Sequence, residues 1–599
     1  MLRRYGVRLA VFAVAAGFTC ASAWLPTAAM AAADPDKVIR WYFRTGESGF
    51  DPVRVSDANS ATVIEAIFER LLTYDYLARP ARLSPMAAEA LPEITDNGRT
   101  YTFRIRKGVY FAPDPAFKGK QRELTAQDFV YSYLRFMDPK NRAPYAFLLA
   151  GKLVGMDEFT ERAKKSGRFD YGAPVEGITA VDRHTLRFRL KDVDYNFSYV
   201  VAHISFGAVA REVVEAYGDD IEAHPVGTGA YRLQSWVRRS KIVLEANPGY
   251  RGFVWDFQPS DEERDRTLIA AMKGKRMPQV GRVEISIIEE PQSRWLAFRQ
   301  KELDYIAVPE TFAPDALDGD TLKPEFARAG VTLYRVPDPD VIYTAFNVRD
   351  LVIGGFSKEK IALRRAMAMA YDVAEEIRVV RKGQAAVVQM PIPAGVVGHD
   401  PGYRSTLGHD PATANKLLDH FGYRKGRDGW RTLPDGKPLV VHLATEPNTT
   451  NRELDELWQK SLASIGIRVA IQVAPFIDNF KAAKACKLQM WGQSWIADYP
   501  DGDNFMQLLY GPNTGQSNNG CYESKAFDRL YERSRQLPDS PERNRLFREM
   551  SRQMEVDGAW SLHVSRLRNE LIWPWIKGYK KHPILQADFQ YLDVEPGRH

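Results

Sequence analysis

The chain has 599 residues, too many for one hydrophobic core, so two or three domains are expected. Its 45% apolar and 26% charged residues are the composition of a soluble globular protein. The formal charge of +6 falls to +3 when Arg3, Arg4 and Arg8 are set aside, and so weak a basic balance argues against nucleic acid as a partner.

Those three arginines open residues 1–31, which continue with an apolar segment over 9–18. Small residues follow, with Ala-Ser-Ala at 21–23 and Ala-Met-Ala at 29–31. This is the pattern of a secretory signal peptide, cut after Ala31 or after Ala23. The apolar core is short for a membrane span, which disfavours an uncleaved anchor. Cys20 follows Phe-Thr rather than a small residue, so it reads as discarded and not lipidated. No later segment is apolar enough to cross a membrane.

In the remaining chain, 38–43 reads as a strand, and Asp51-Pro52 begins a loop through 53–59. Apolar residues over 62–72 recur at helical spacing, from Val63 and Ile64 to Leu71 and Leu72. Residues 100–106 alternate as a strand. Thr125 with Asp128 three positions on predicts a capped helix that ends before Pro139. A strand pair is expected around Asp182-Arg183-His184. Pro225-Val-Gly-Thr-Gly-Ala-Tyr is a glycine-rich turn leading into strands at 231–237 and 241–246. A strand and not a helix follows it, so a phosphate-binding role is disfavoured. Residues 251–281 look charged and irregular, a solvated surface insertion carrying Lys273, Lys275 and Arg276. Strands at 283–288 and 303–308 flank a helix at 294–302.

Composition becomes more helical after Pro337, and a domain boundary is expected near 337–342. Helices over 361–371, 415–421, 454–465 and 527–536 alternate with strands at 440–444 and 468–473, which implies an α/β domain with some parallel sheet. An apolar run at 488–492 reads as a buried strand that ends before Trp495-Ile-Ala-Asp-Tyr-Pro-Asp. Asp498 there has Trp495, Ile496 and Tyr499 around it. A carboxylate in such company is costly unless something positive meets it. It either caps a turn, pairs with a structural arginine, or awaits a cationic group on a ligand. Cys486 and Cys521 flank this stretch. In an oxidising compartment they form either a disulfide bracing the loop or two separate buried thiols.

Several chemistries lack their signatures. There is no nucleotide-binding Gly-x-x-x-x-Gly-Lys-Ser/Thr loop and no Gly-x-Ser-x-Gly elbow. No two histidines lie three to five residues apart, and the two later cysteines are too distant for a zinc knuckle. Asp498, Asp501 and Asp503 do not complete a calcium-loop pattern. No catalytic residues, metal ligands or cofactors are expected.

Five segments, taken in order, resemble one family. They are Asn97-Gly-Arg-Thr-Tyr-Thr-Phe-Arg-Ile-Arg-Lys-Gly-Val, Leu124-Thr-Ala-Gln-Asp-Phe-Val-Tyr-Ser, Gly227-Thr-Gly-Ala-Tyr-Arg-Leu, Ile242-Val-Leu-Glu-Ala-Asn-Pro-Gly-Tyr, and Trp495-Ile-Ala-Asp-Tyr-Pro-Asp. Trp573-Pro-Trp-Ile-Lys-Gly-Tyr adds to them. Together they resemble the solute-binding proteins of ABC importers, of the large oligopeptide/dipeptide-binding type (solute-binding protein family 5). The resemblance implies a two-lobed periplasmic-binding-protein (Venus flytrap) α/β fold with an extra mixed β/α domain on the first lobe. Lobe I would combine 32–72, 201–336 and 564–599, the extra domain 73–200, and lobe II 337–563. Ligand would sit between lobes that close by hinge bending.

The resemblance also implies roles. Asp498 stands where the family's aspartate pairs with a peptide's α-ammonium, and Trp495 would be a flat wall beside the ligand. Backbone groups at Ser56, Asp57, Ala58 and Asn59, and over 492–495, would hydrogen-bond an extended peptide as an added strand. Gly492 departs from the pattern, because some relatives carry there an arginine that meets the peptide carboxylate. The implied protein is a periplasmic monomer that delivers a peptide or peptide-like solute to a membrane permease and catalyses nothing. The alternatives are a non-peptide solute in the same fold (sugar oligomer, haem, metal complex, antibiotic), a secreted hydrolase acting on peptides, or a chaperone.

Overall fold

The computed structural model of the protein describes residues 33–260 and 262–595. The leader at 1–31, with both cleavage positions and Cys20, lies outside them.

Asp34–Phe43 runs parallel to Val280–Ile287, which pairs antiparallel with Lys241–Ala246, and that strand pairs in turn with Tyr231–Val237. Inward residues of these strands, such as Ile39, Leu244 and Ile285, meet Val63 and Ile64 of the helix Ala58–Ile67 in one core. That helix begins and ends earlier than the apolar spacing predicts. Asp57 caps it by accepting the Ser60 N–H at 2.8 Å, and Leu72–Tyr74 is already a strand. Leu71 and Leu72 are buried, but in a bend and the strand that follows it, so their spacing mimicked a helix.

A second, antiparallel sheet is built from Glu93–Thr95, Thr100–Arg104, Thr185–Arg189 and Ile178–Asp182. The helix Ala126–Met137 lies against it and starts in the expected capping box of Thr125 and Asp128. Residues 251–281 differ from the expectation of an irregular solvated insertion. Phe253–Val254 pairs with Arg276–Met277, the helix Glu263–Met272 lies between them, and Trp255, Met272 and Met277 are buried. These three apolar side chains point inward and pack on the core of the second sheet, which the surrounding charges concealed in the sequence.

The third sheet has five strands in the order Arg468–Val473, Val440–Thr445, Met490–Ile496, Asp340–Phe346, Trp560–Leu562. The first three run parallel and the last two pairings are antiparallel. Helices Lys358–Ala370 and Thr449–Ser464 bury Met367, Leu457 and Leu462 with Phe346, Leu443 and Met490. The chain passes between lobes twice, from Thr332–Pro337 into Asp340–Phe346 and from Trp560–Leu562 into Val564–Ile572. The outer halves of these two crossings pair antiparallel with each other. Asp340, fully buried, holds them together by accepting from the Arg566 N–H at 3.0 Å and from its guanidinium Nε at 2.6 Å. The result is a two-lobed α/β architecture.

The five-stranded lobe also touches the body of the second sheet away from the crossings. Arg543 forms a buried bidentate pair with Asp501, both contacts at 2.6 Å. Asn196, across the gap, reaches each of these side chains at 3.4 Å. Tyr199 stacks on Tyr499 beside them, with ring centroids 6.3 Å apart.

Candidate functional site

The Met490–Ile496 strand organises the site. Along its whole length it pairs with Asp340–Phe346, from Met490 opposite Phe346 to Ile496 opposite Asp340. On its other side, Val440–Thr445 pairs only with Met490 and Trp491. From Gly492 onward that edge has no strand beside it among the described residues, and the strand continues through Trp495 and Ile496 instead of ending before them as the sequence suggests. An open edge exposes backbone donors and acceptors that another extended chain can satisfy.

Asp498 follows this edge. Its half-buried carboxylate accepts from Asn504 Nδ2 at 3.0 Å, and its backbone N–H donates to Asn504 Oδ1 at 3.0 Å. Trp495 Nε1 donates to the same Oδ1 at 3.0 Å, so one buried amide positions both residues. Asn504 sits in the short helix Asp503–Met506, and sequence reasoning missed it because nothing in its pattern distinguishes it from a helix cap. Burial pushes the Asp498 carboxyl up to about 6, against the pull of the Asn504 hydrogen bond. No lysine, arginine or histidine forms an ion pair with it among the described residues. The neighbouring acids have separate tasks. Asp501 pairs with Arg543, and Asp503 accepts from the Tyr499 hydroxyl at 2.7 Å. Among the described residues no group of three or more His, Cys, Asp or Glu is placed to hold a metal ion.

Cys486 and Cys521 are joined, with the sulfur atoms 1.97 Å apart and the Cα atoms 6.0 Å apart. Cys521 is fully buried. The bond ties the turn before Met490–Ile496 to the segment that follows Asp498.

The opposite wall comes from the start of the chain. Ala58 and Asn59, in the first turn of Ala58–Ile67, line a cavity of about 480 Å³ together with Ile496 and Arg566. Asp57 accepts from the Ser48 hydroxyl at 2.6 Å as well as capping the helix, and Ser56 is exposed. Neither lines this cavity. Burial raises the phenol of Tyr145, in the body of the second sheet, and the charges of Asp498 and then Asp57 raise it further.

Gly492 and Trp495 line a second cavity, of about 510 Å³, set into the five-stranded lobe. No arginine occupies position 492, and the two arginines that line this cavity are engaged elsewhere: Arg381 with Glu376 and Arg566 with Asp340. Burial works against the Glu376 charge, yet His563, Arg381 and the Tyr371 hydroxyl hold its carboxyl down to about 2. Glu446, Asp455, Trp458 and His563 also line the cavity, and sequence reasoning did not find them. Asp455 and Trp458 lie three apart on the helix Thr449–Ser464, but Glu446 follows the strand Val440–Thr445 and His563 precedes Val564–Ile572, so no single stretch of sequence links them.

The chain is similar to known proteins over most of its length. The family model of the bacterial extracellular solute-binding proteins, family 5 (middle region), matches residues 82–517. Di/tripeptide-binding protein 2 of Pseudomonas aeruginosa is 25% identical over 572 residues, covering 91% of this chain and 93% of that protein. Heme-binding protein A of Haemophilus influenzae is 24% identical over 556 residues, covering 91% and 90%. The periplasmic binding protein of Helicobacter pylori solved with the peptide STSA superposes with a TM-score of 0.68 at 21% identity, covering 93% of this chain and 98% of that one. At that identity the likeness carries the fold. The match over most of its length makes this chain a member of the bacterial extracellular solute-binding proteins of family 5.

Proposed function

We propose that the chain is the periplasmic substrate-binding component of an ABC importer. It captures an oligopeptide or peptide-like solute in extended form between its lobes and hands it to a membrane permease. The observation that carries the reading is Asp498: a carboxylate held in place by Asn504, raised by burial, lacking a cationic partner among the described residues, and set at the end of an open strand edge. An α-ammonium supplies the missing charge, and the peptide backbone supplies the missing strand. Ala58 and Asn59 add the first-turn N–H groups of a helix, which have no intrahelical acceptors. Backbone contacts do not read side chains, so they tolerate many sequences. As a member of a solute-binding family, the chain holds its cargo and does not transform it. It works as a monomer, exported by its leader.

A haem-binding relative at almost the same identity as the peptide-binding one keeps the solute class the main question. Native mass spectrometry of the purified protein, followed by mild release of what it carries, answers it. A ladder of peptide masses, lost on Asp498→Ala, supports the proposal. A single non-peptide mass that survives the substitution overturns it.

A further inference from the structure

The cavity behind Gly492 holds more polar function than the capture of a peptide backbone needs. Four buried side-chain atoms on its wall have no hydrogen-bond partner: Thr344 Oγ1, Asn519 Oδ1, Gln493 Nε2 and His563 Nε2. Thr344 is fully buried and His563 is 4% exposed. Groups like these normally find partners, because one left unsatisfied in the interior has given up its hydrogen bonds to water for nothing. Two of the four accept: the Thr344 hydroxyl accepts as readily as it donates, and Asn519 presents its carbonyl, while the His563 ring is anchored with Nδ1 3.2 Å from Glu376 Oε2.

Two carboxylates share the cavity. Glu446 accepts from Asn451 at 2.7 Å, Trp491 Nε1 at 2.9 Å and Asn479 at 3.1 Å, all neutral donors. Asp455 is 9% exposed, and its carboxyl rises to about 6 through burial and the nearby Glu446 charge, opposed by a Thr445 hydrogen bond. Among the described residues neither forms an ion pair, while both arginines of the wall are neutralised by Glu376 and Asp340. Charge bookkeeping thus leaves a negative cavity. Its sides include the rings of Trp458, Tyr371 and Trp491, flat surfaces that favour a cation over their faces. Gly492 is the doorway. A Cβ there would meet only Thr344 Oγ1, at 4.0 Å, so a longer side chain at 492 would enter the cavity and fill it.

We infer that this cavity is a side-chain subsite for a basic residue of the bound peptide, taking guanidinium in preference to ammonium. The inference rests on the peptide reading above. A guanidinium is flat, donor-rich and permanently charged, and so complements two unpartnered oxygen acceptors, two carboxylates without ion pairs and aromatic walls at once. Gln493 Nε2, the remaining donor, is left for a carbonyl of the ligand. The glycine at 492 then has a purpose: it replaces a fixed cation of the protein with room for a cation of the cargo.

The test is competitive binding of alanine peptides two to five residues long, each carrying one arginine, its neutral isostere citrulline, lysine or norleucine. The retained fraction is read by native mass spectrometry. The parent protein should retain arginine peptides at least tenfold over citrulline peptides, with lysine between arginine and norleucine. The double substitution Glu446→Gln/Asp455→Asn should bring the arginine-to-citrulline ratio to within twofold of one. Gly492→Arg, whose Cβ would meet only Thr344 Oγ1 at 4.0 Å, should do the same by filling the doorway, and it serves if the double variant does not fold. Equal retention of arginine and citrulline peptides by the parent, or an unchanged ratio in either folded variant, overturns the subsite and leaves the peptide reading standing. Failure to retain any peptide overturns both.

Discussion

Asp498→Asn should make the empty protein more stable and, in the same step, remove its grip on peptides. Asp498 is held at about 6 against an ordinary value of 3.8. Each unit of difference is about 1.4 kcal/mol, so ionising it in its folded surroundings costs about 3 kcal/mol at most, less what its partly exposed edge recovers from water. The sign follows from the raised value. Below about pH 4 the carboxyl is protonated whether the chain is folded or not, and the penalty is absent. It grows between pH 4 and 6, and it is fully present above 6. Asparagine is uncharged at every pH and keeps an acceptor for Asn504 Nδ2. The variant should therefore match the parent at pH 3.5 and exceed it at pH 8 by about 1–3 kcal/mol. In a chain of this length that is a rise of about 1 °C in melting temperature per kcal/mol. Calorimetry of ligand-free protein at the two pH values is the assay. A variant no more stable than the parent at pH 8, or equally stabilised at both pH values, refutes the argument that Asp498 is an uncompensated buried charge.

Affinity for peptides with a free amino terminus should fall by about tenfold per pH unit below 6, as Asp498 takes up a proton that competes with the ammonium. Titration calorimetry with free and N-acetylated peptides checks this, since the acetylated ones should show no such slope. Reduction of Cys486–Cys521, which spans 35 positions, should lower stability by about 3–4 kcal/mol, measured by urea unfolding with and without reductant. Arg543→Ala should cost about 3–5 kcal/mol by leaving Asp501 buried and unpaired, and Asp501→Asn in the same background should recover part of that loss. Asn504→Ala should strip a shared partner from Trp495 and Asp498, weakening peptide binding by tenfold or more in titration calorimetry.

The elements legible in the sequence were those whose signals are local. Tyr231–Val237 and Lys241–Ala246 follow alternation and a turn, and Ala126–Met137 follows its capping box. Where burial decides against spacing, the reading slipped. Leu71 and Leu72 looked helical because two apolar neighbours fit either period, and Trp255 was lost among charges that face water while it faces inward. The site divided in the same way. Asp498 and Trp495 announce themselves by an acid among aromatics. Asn504 does not, because its role depends on reaching back six residues across a turn. Glu446, Asp455 and His563 could not be joined by any reading along the chain, because only the packing of the helix Thr449–Ser464 on the sheet brings positions 446, 455 and 563 to one wall.

The contact between Asn196 and the Arg543–Asp501 pair bears on how readily such a protein lets go. The strong interaction, a buried doubly bonded ion pair, lies wholly within one moving part. What reaches across the gap is one neutral amide at 3.4 Å from each partner, and a pair of stacked rings. Opening at this contact therefore breaks no ion pair among the described residues, and gives up only a longer-range attraction between Arg535 and Asp194. The two halves are matched closely enough to find one register and joined weakly enough that the cargo, and not the seam, sets how long they stay shut.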